Sequence, residues 1–252
     1  MLSAAAIALA GGVAIIVGVL IGAIGIGGGL LVPMLTYVLG VSIHVAIATA
    51  MFSYLFSGAI GAFEYARRGS VQWHRGLWLC LGGMPGAYFG AMITWLTPGA
   101  VLEGVIGLLV LLSGLRAWRP QVEDGGADAS LAPGWLLVIG VATGFASSIT
   151  GTGGPLVLVP VLIWLKVPVL IAVGLSQIIQ IPIALLATGG NLVFGQIDFR
   201  LGLGIATMLV VGVLFGARLA HRVSHDVLKR FIAIALLLVG MAMLIRTASS
   251  LF

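Results

Sequence analysis

The chain has 252 residues, 61% of them hydrophobic and 8% charged, with a mean hydropathy of +1.24 and a net charge of +5. Soluble domains carry roughly 25% charged residues, so this composition excludes a water-soluble globular protein and places the chain among integral membrane proteins. The basic residues stand singly or in pairs beside apolar runs, which suits topology signals rather than a nucleic-acid surface. Cys80 is the only cysteine, so no internal disulfide and no cysteine metal site can form.

Taken in chain order, apolar runs cover residues 3 to 24, 30 to 41, 45 to 66, 74 to 96 and 100 to 118. The first run carries no charge and lacks the basic start of a secretory signal, so it is expected to belong to the mature protein. One soluble-looking stretch follows, RPQVEDGGADASLAPG at 119 to 134, with the composition of a flexible linker. The pattern then restarts at 135 to 150, 155 to 165, 169 to 190, 201 to 221 and 227 to 246. Runs of this length match the hydrocarbon thickness a helix must cross. They are apolar all round rather than alternating, which sets a β-barrel aside. The expected fold is an all-α polytopic membrane protein, divided into repeats 1–118 and 135–252 by a cytoplasmic linker at 119–134.

The restart is a repeat. A shift of 126 positions lays Gly18, Gly25, Gly27, Gly28 and Leu30 on Gly144, Gly151, Gly153, Gly154 and Leu156. The same shift lays Gly69, Gly76 and Gly86 on Gly195, Gly202 and Gly212, and FGA at 89 to 91 on FGA at 215 to 217. With a one-residue slip, Pro33 meets Pro160.

The charges orient the halves. If each glycine-broken piece crosses once, the repeats are parallel and the basic residues divide seven against five between the two sides. If each piece enters and returns on one side, the repeats are inverted. Arg67, Arg68, Arg75, Arg116, Arg119, Lys166, Arg218, Arg222, Lys229 and Arg230 then share one side, and only Arg200 and Arg246 lie opposite, ten against two. That split obeys the positive-inside rule. The expectation is therefore two inverted-topology repeats, each a glycine-broken (re-entrant) helical hairpin plus three transmembrane helices, with the linker cytoplasmic and both termini outside; whether the hairpin arms re-enter or cross fully does not alter the charge count and stays open.

Glycine supplies the unusual dihedrals that a hairpin tip at membrane depth requires. GIGGG at 25 to 29 and GTGGP at 151 to 155 each open onto an apolar run, so each presents the start of a half-helix whose first N–H groups lack partners and carry partial positive charge. Two such tips from inverted halves make an anion site of the kind secondary transporters use. Helix packing through small residues is the plainer role for the same glycines. Neither the GxGxxG nor the GxxxxGK[ST] spacing is met, which sets nucleotide binding aside.

Polar groups inside the apolar runs complete the candidate site. Ser147, Ser148, Thr150 and Thr152 flank the second break, and Ser176, Gln177 and Gln180 follow it; Thr49, Ser53 and Ser57 are the thinner first-half set. The expected substrate ligands are Gly25, Gly27, Gly28, Gly29, Thr49, Ser53, Thr150, Gly151, Thr152, Gly153, Gly154, Ser176, Gln177 and Gln180. Helix-to-helix hydrogen bonding is the alternative for the hydroxyls. Asn191 reads as a loop or cap residue. Glu64, Glu103, Asp198 and Asp226 fall at segment ends, so no buried proton relay is expected, and His44 reads as an interfacial histidine. There is no catalytic motif and no metal-ligand spacing, so no enzyme activity, cofactor or metal is expected.

GIGGGLLVP and GTGGPLVLVP, followed by AIATA at 46 to 50 and AVGLS at 172 to 176, resemble the TauE/SafE family of sulfite and organosulfonate exporters over nearly the whole chain outside the linker. The resemblance implies a bacterial plasma-membrane protein whose partners are a small inorganic or organic sulfur oxyanion and the lipid bilayer, with protons as a candidate coupling ion. Members often carry Thr-Ser where this chain has Thr49-Ala50 and Leu175-Ser176, which leaves the identity of the anion open. An anion channel and a non-transporting membrane scaffold remain the alternatives to a transporter.

Overall fold

The computed structural model describes residues 4–25, 27–118, 131–220 and 225–251. Most of the expected linker, residues 119–130, lies outside the described residues. Among the described residues ten α-helices follow in order: α1 (Ala4–Ile24), α2 (Leu31–Tyr37, entered through a 3-10 turn at Gly28–Leu30), α3 (Ile43–Arg67), α4 (Trp73–Leu96), α5 (Gly99–Trp118), α6 (Pro133–Thr150), α7 (Pro155–Trp164), α8 (Val169–Phe194), α9 (Phe199–Leu219) and α10 (His225–Leu251). No strand occurs among the described residues. Among the described residues six helices are long and apolar enough to cross a membrane: α3, α4, α5, α6, α8 and α9. This is an all-helical integral membrane fold.

Sequence sets the helix ends. Pro133 and Pro155 stand in the first turns of α6 and α7, where a missing N–H costs nothing. The Asp198 carboxylate accepts the Leu201 N–H at 2.9 Å and starts α9. Gly25 and Gly151, at φ +75° and +64°, end α1 and α6 in the left-handed region that disfavours side chains.

Contacts cross between the chain halves more than they run within them. Helix α1 packs on α9, α6 on α4, α3 on α8 and on α9, α4 on α8, and α5 on α10. Glycines make the closest of these approaches. A Cβ at Gly18 or Gly22 would strike the carbonyls of Leu209 or Val213, and one at Gly212 or Gly216 those of Ile15 or Val19, so α1 and α9 lie parallel, backbone to backbone. The same holds for α4 and α6, where Gly82, Gly86 and Gly90 face Leu137, Val141 and Phe145. By contrast α5 and α10 are antiparallel, with Gly107 against Met243 and Gly114 against Leu237. Helices α3 and α8 are also antiparallel, since Gly58 meets Gln180 and Gly61 meets Gln177.

The outward surface is apolar. Leu77, Leu81, Phe89, Leu108, Leu112, Leu203, Val211 and Phe215 are all exposed, the inverse of a soluble surface and what lipid requires. Trp73, Trp135 and Trp164 are exposed at one end of the bundle, the end that carries Arg67, Arg68 and Lys166. Tryptophan and basic residues together mark a membrane interface. Glu64, expected at the periphery, is instead 4% exposed and pairs with Arg68 at 3.1 Å, while Arg68 also donates to the Ala217 carbonyl at the end of α9. Burial of this carboxylate is tolerated because the guanidinium compensates it.

Candidate functional site

The two glycine breaks meet in the middle of the bundle. A Cβ on Gly28, in the first break, would collide with the backbone carbonyl of Thr152 in the second, so the two tips touch main chain to main chain. Gly153 and Gly154 take φ of +80° and +115°, so the second tip is an open turn. The first tip differs: Gly28 and Gly29 lie in the 3-10 turn that leads into α2. Val157 and Leu158 donate to the Gly154 carbonyl, so the N–H groups of Gly153, Gly154 and Leu156 precede the regular α7 ladder, and Pro155 has none to offer. Together they form a cluster of first-turn donors at the start of α7.

Tyr54, in the middle of α3 and 0% exposed, ties the tips together. Its hydroxyl donates to the Gly28 carbonyl at 2.8 Å. Its ring lies against Gly153, where an added Cβ would come within 2.7 Å of it. Its own carbonyl accepts Nε2 of Gln180 at 3.1 Å, and the same nitrogen donates to Ser57 Oγ at 3.1 Å. The sequence reading did not single out Tyr54, because a tyrosine in an apolar run reads as core. Its place one turn from Ser57 and Gly58 on the polar face of α3 was the available signal.

The expected ligands divide into two groups. Around the tips stand Gly25, Gly28, Thr150, Gly151, Thr152, Gly153, Gly154, Ser176, Gln177 and Gln180. Thr150 and Thr152 share a hydroxyl hydrogen bond at 3.0 Å. Ser176 Oγ donates to the Val173 carbonyl at 2.7 Å and lies near Gly25. Gln177 donates through Nε2 to the Ile21 carbonyl at 2.9 Å, which also accepts the Gly25 N–H, and Tyr65 donates to the Gly22 carbonyl at 2.8 Å, so both bind carbonyls in the last turn of α1. The Oε1 atoms of Gln177 and Gln180 and the hydroxyls of Ser147 and Ser148 are buried with no partner among the described residues.

The remaining ligands lie elsewhere. Thr49 Oγ1 accepts the Asp198 N–H at 3.2 Å, and Ser53 Oγ donates to the carbonyls of Thr49 and Gly202, each at 2.9 Å, so both hold α3 to α9. Gly27 folds back on Val17 and Leu20 of the preceding helix α1, and Gly29 faces Val110, Leu156 and Leu236. Asn191 is buried within α8 and accepts Trp95 Nε1 at 2.8 Å, rather than serving as a loop residue. His44 bonds the Thr97 carbonyl through Nε2 at 2.9 Å and stacks on Trp95 at 5.3 Å. No group of three or more metal-binding side chains occurs among the described residues.

Comparison with known proteins agrees with this architecture. Residues 10–243 match the family model described as Sulfite exporter TauE/SafE. A Bacillus subtilis protein described as a probable membrane transporter is 27% identical over 91% of this chain and 96% of its own length. A Xylella fastidiosa protein with the same description is 28% identical over 94% of each chain. One from Methanocaldococcus jannaschii is 25% identical over 89% of this chain and 88% of its own. No solved structure matches. With a family model spanning nearly the whole chain and relatives covered almost end to end, the chain belongs to the sulfite exporter TauE/SafE family of membrane transporters.

Proposed function

We propose that this chain is a secondary transporter that exports small sulfur-containing oxyanions, such as sulfite or organosulfonates, and binds them between its two glycine tips. The observation that carries the reading is the meeting of the tips. First-turn N–H donors cluster at the start of α7, buried in an apolar bundle, where a low dielectric strengthens their partial positive charge. The sulfur oxyanion as substrate is supported by the family description. Main-chain contact between Gly28 and Thr152 favours a carrier whose tips must separate over an open channel.

Alternating access follows from two inverted repeats, in which helices α1 to α5 correspond to α6 to α10. Raising each label of the first half by five, and lowering each of the second, exchanges the α1–α9 pair with α6–α4 and leaves α3–α8 and α5–α10 as self-pairs. The antiparallel sense of α3 against α8 and of α5 against α10 supports the same relation. In this arrangement the end bearing Arg67, Arg68 and Lys166 faces the cytoplasm of a bacterial plasma membrane, and both termini lie outside. Protons are the coupling ion to test first.

The reading is tested by thermal stability of the purified protein against sulfite, sulfate, thiosulfate, sulfoacetate, taurine, phosphate and chloride at matched ionic strength. A ligand at 100 times its dissociation constant stabilises by about 2.7 kcal/mol. A selective shift with one sulfur oxyanion supports the proposal, and a flat panel contradicts it.

A further inference from the structure

We infer that the Tyr54 hydroxyl is a switchable anion-binding donor, held on the first tip while the site is closed and turned to the oxyanion when the site opens. The inference rests on the transporter reading above and names a side chain that the glycine motifs do not.

Three features of the closed site lead to it. First, the crossing point has no room for an oxyanion, because the Gly28 and Thr152 backbones are in contact. Second, Tyr54 touches both tips at once, with its hydroxyl on the Gly28 carbonyl at 2.8 Å and its ring on Gly153. Separation of the tips must therefore break at least one of these contacts. Third, the hydroxyl is completely buried, so once released from Gly28 it needs another acceptor or bears the cost of an unmade hydrogen bond.

A sulfur oxyanion offers that acceptor, and a phenolic O–H is a donor at neutral pH. The bond to the Gly28 carbonyl also has a purpose while the site is empty. It occupies an oxygen whose partial negative charge would otherwise face the place where an anion enters. Opening then exchanges a neutral O–H···O=C bond for a charge-assisted O–H···O⁻ bond, which is the stronger of the two. Gln180 fixes the backbone from which Tyr54 swings, through its bond to the Tyr54 carbonyl at 3.1 Å. The hydroxyl can therefore move while the helix stays.

The test compares wild type with Tyr54→Phe, which keeps the ring on Gly153 and removes only the hydroxyl. Dissociation constants for sulfite and for taurine, each alone, are read from thermal-shift titrations, together with the midpoint of the ligand-free protein. The expected result is a dissociation constant raised roughly tenfold. A hydroxyl with a merely structural role would lower the ligand-free midpoint and leave the dissociation constant within twofold of wild type. That outcome overturns the inference and spares the transporter reading. Wild type that binds neither these two nor any other sulfur oxyanion of the panel overturns both; where another member of the panel is the one bound, the same comparison is made with it.

Should Tyr54→Phe fail to fold, fluorine NMR of the otherwise unaltered chain labelled with 3-fluorotyrosine gives the same answer. The chain has four tyrosines, and Tyr65→Phe distinguishes the two buried at the centre. The Tyr54 resonance is expected to move on addition of sulfite. A resonance that stays in place while sulfite stabilises the protein overturns the inference.

Discussion

Gln180 donates through Nε2 to the backbone carbonyl of Tyr54 at 3.1 Å, across 126 positions of sequence. That separation is the offset that aligns the two chain halves, so residues equated by the repeat touch each other where the long helices α3 and α8 cross. Gly28 and Gly154 are equated by the same shift, and each lies beside its own member of the pair: Gly28 accepts from Tyr54, and an added Cβ on Gly154 would lie 3.9 Å from the Gln180 Cα. One half closes the centre with an aromatic hydroxyl and the other with an amide.

Gln180→Leu keeps the volume and removes two hydrogen bonds, to the Tyr54 carbonyl and to Ser57 Oγ. Interhelical hydrogen bonds in membrane proteins average about 0.6 kcal/mol and reach about 1.7 kcal/mol. The variant is expected to lose about 1 kcal/mol, read as an earlier midpoint in detergent denaturation. A midpoint equal to wild type would remove the amide from the account of how α3 holds α8.

The glycine contacts make a contrast that composition cannot. A Cβ at Gly86 meets the Val141 carbonyl and one at Gly216 meets the Val19 carbonyl, whereas one at Gly204 meets nothing within 4 Å. Gly86→Ala and Gly216→Ala are expected to cost about 1–3 kcal/mol through overpacking. Gly204→Ala is expected to be neutral or stabilising, since alanine is the better helix former. Equal tolerance at all three positions, measured by thermal denaturation, would contradict the backbone contacts of α1 with α9 and of α4 with α6.

Ser70 and Gln196 are equated by the repeat, and the proposed inversion would put them on opposite sides of the membrane. With Cys80 replaced by serine, Gln196→Cys is expected to react with a membrane-impermeant maleimide in intact cells. Ser70→Cys is expected to react only after permeabilisation. Labelling of both from the same side would contradict the inverted topology.

Helix count and boundaries were legible because apolar length against bilayer thickness is a strong signal, and the breaks at 25 to 29 and 151 to 155 were legible because clustered glycine interrupts it. The internal division of labour was not. Helices apolar on every side carry no periodicity to say which face meets which neighbour, so the pairing of α1 with α9 stayed hidden until their backbones were seen in contact. Thr49 and Ser53 look like ligands in sequence and turn out to bond α9, since a hydroxyl in an apolar helix marks a need for a partner without naming it. Glu64 looked peripheral because the guanidinium that compensates it, on Arg68, is itself held by a carbonyl 149 positions away, on Ala217. Tyr54 was silent for the same reason: its hydroxyl has meaning only beside the Gly28 carbonyl.

The most direct test of the central claim is efflux of sulfite from proteoliposomes loaded with it, compared between wild type and Gly28→Leu. A leucine at Gly28 fills the crossing point against the Thr152 carbonyl, while the apolar helices that drive insertion are unchanged. The account predicts saturable efflux by wild type and none by a variant that still inserts. Efflux by Gly28→Leu at the wild-type rate, or none by wild type with any sulfur oxyanion, would contradict it.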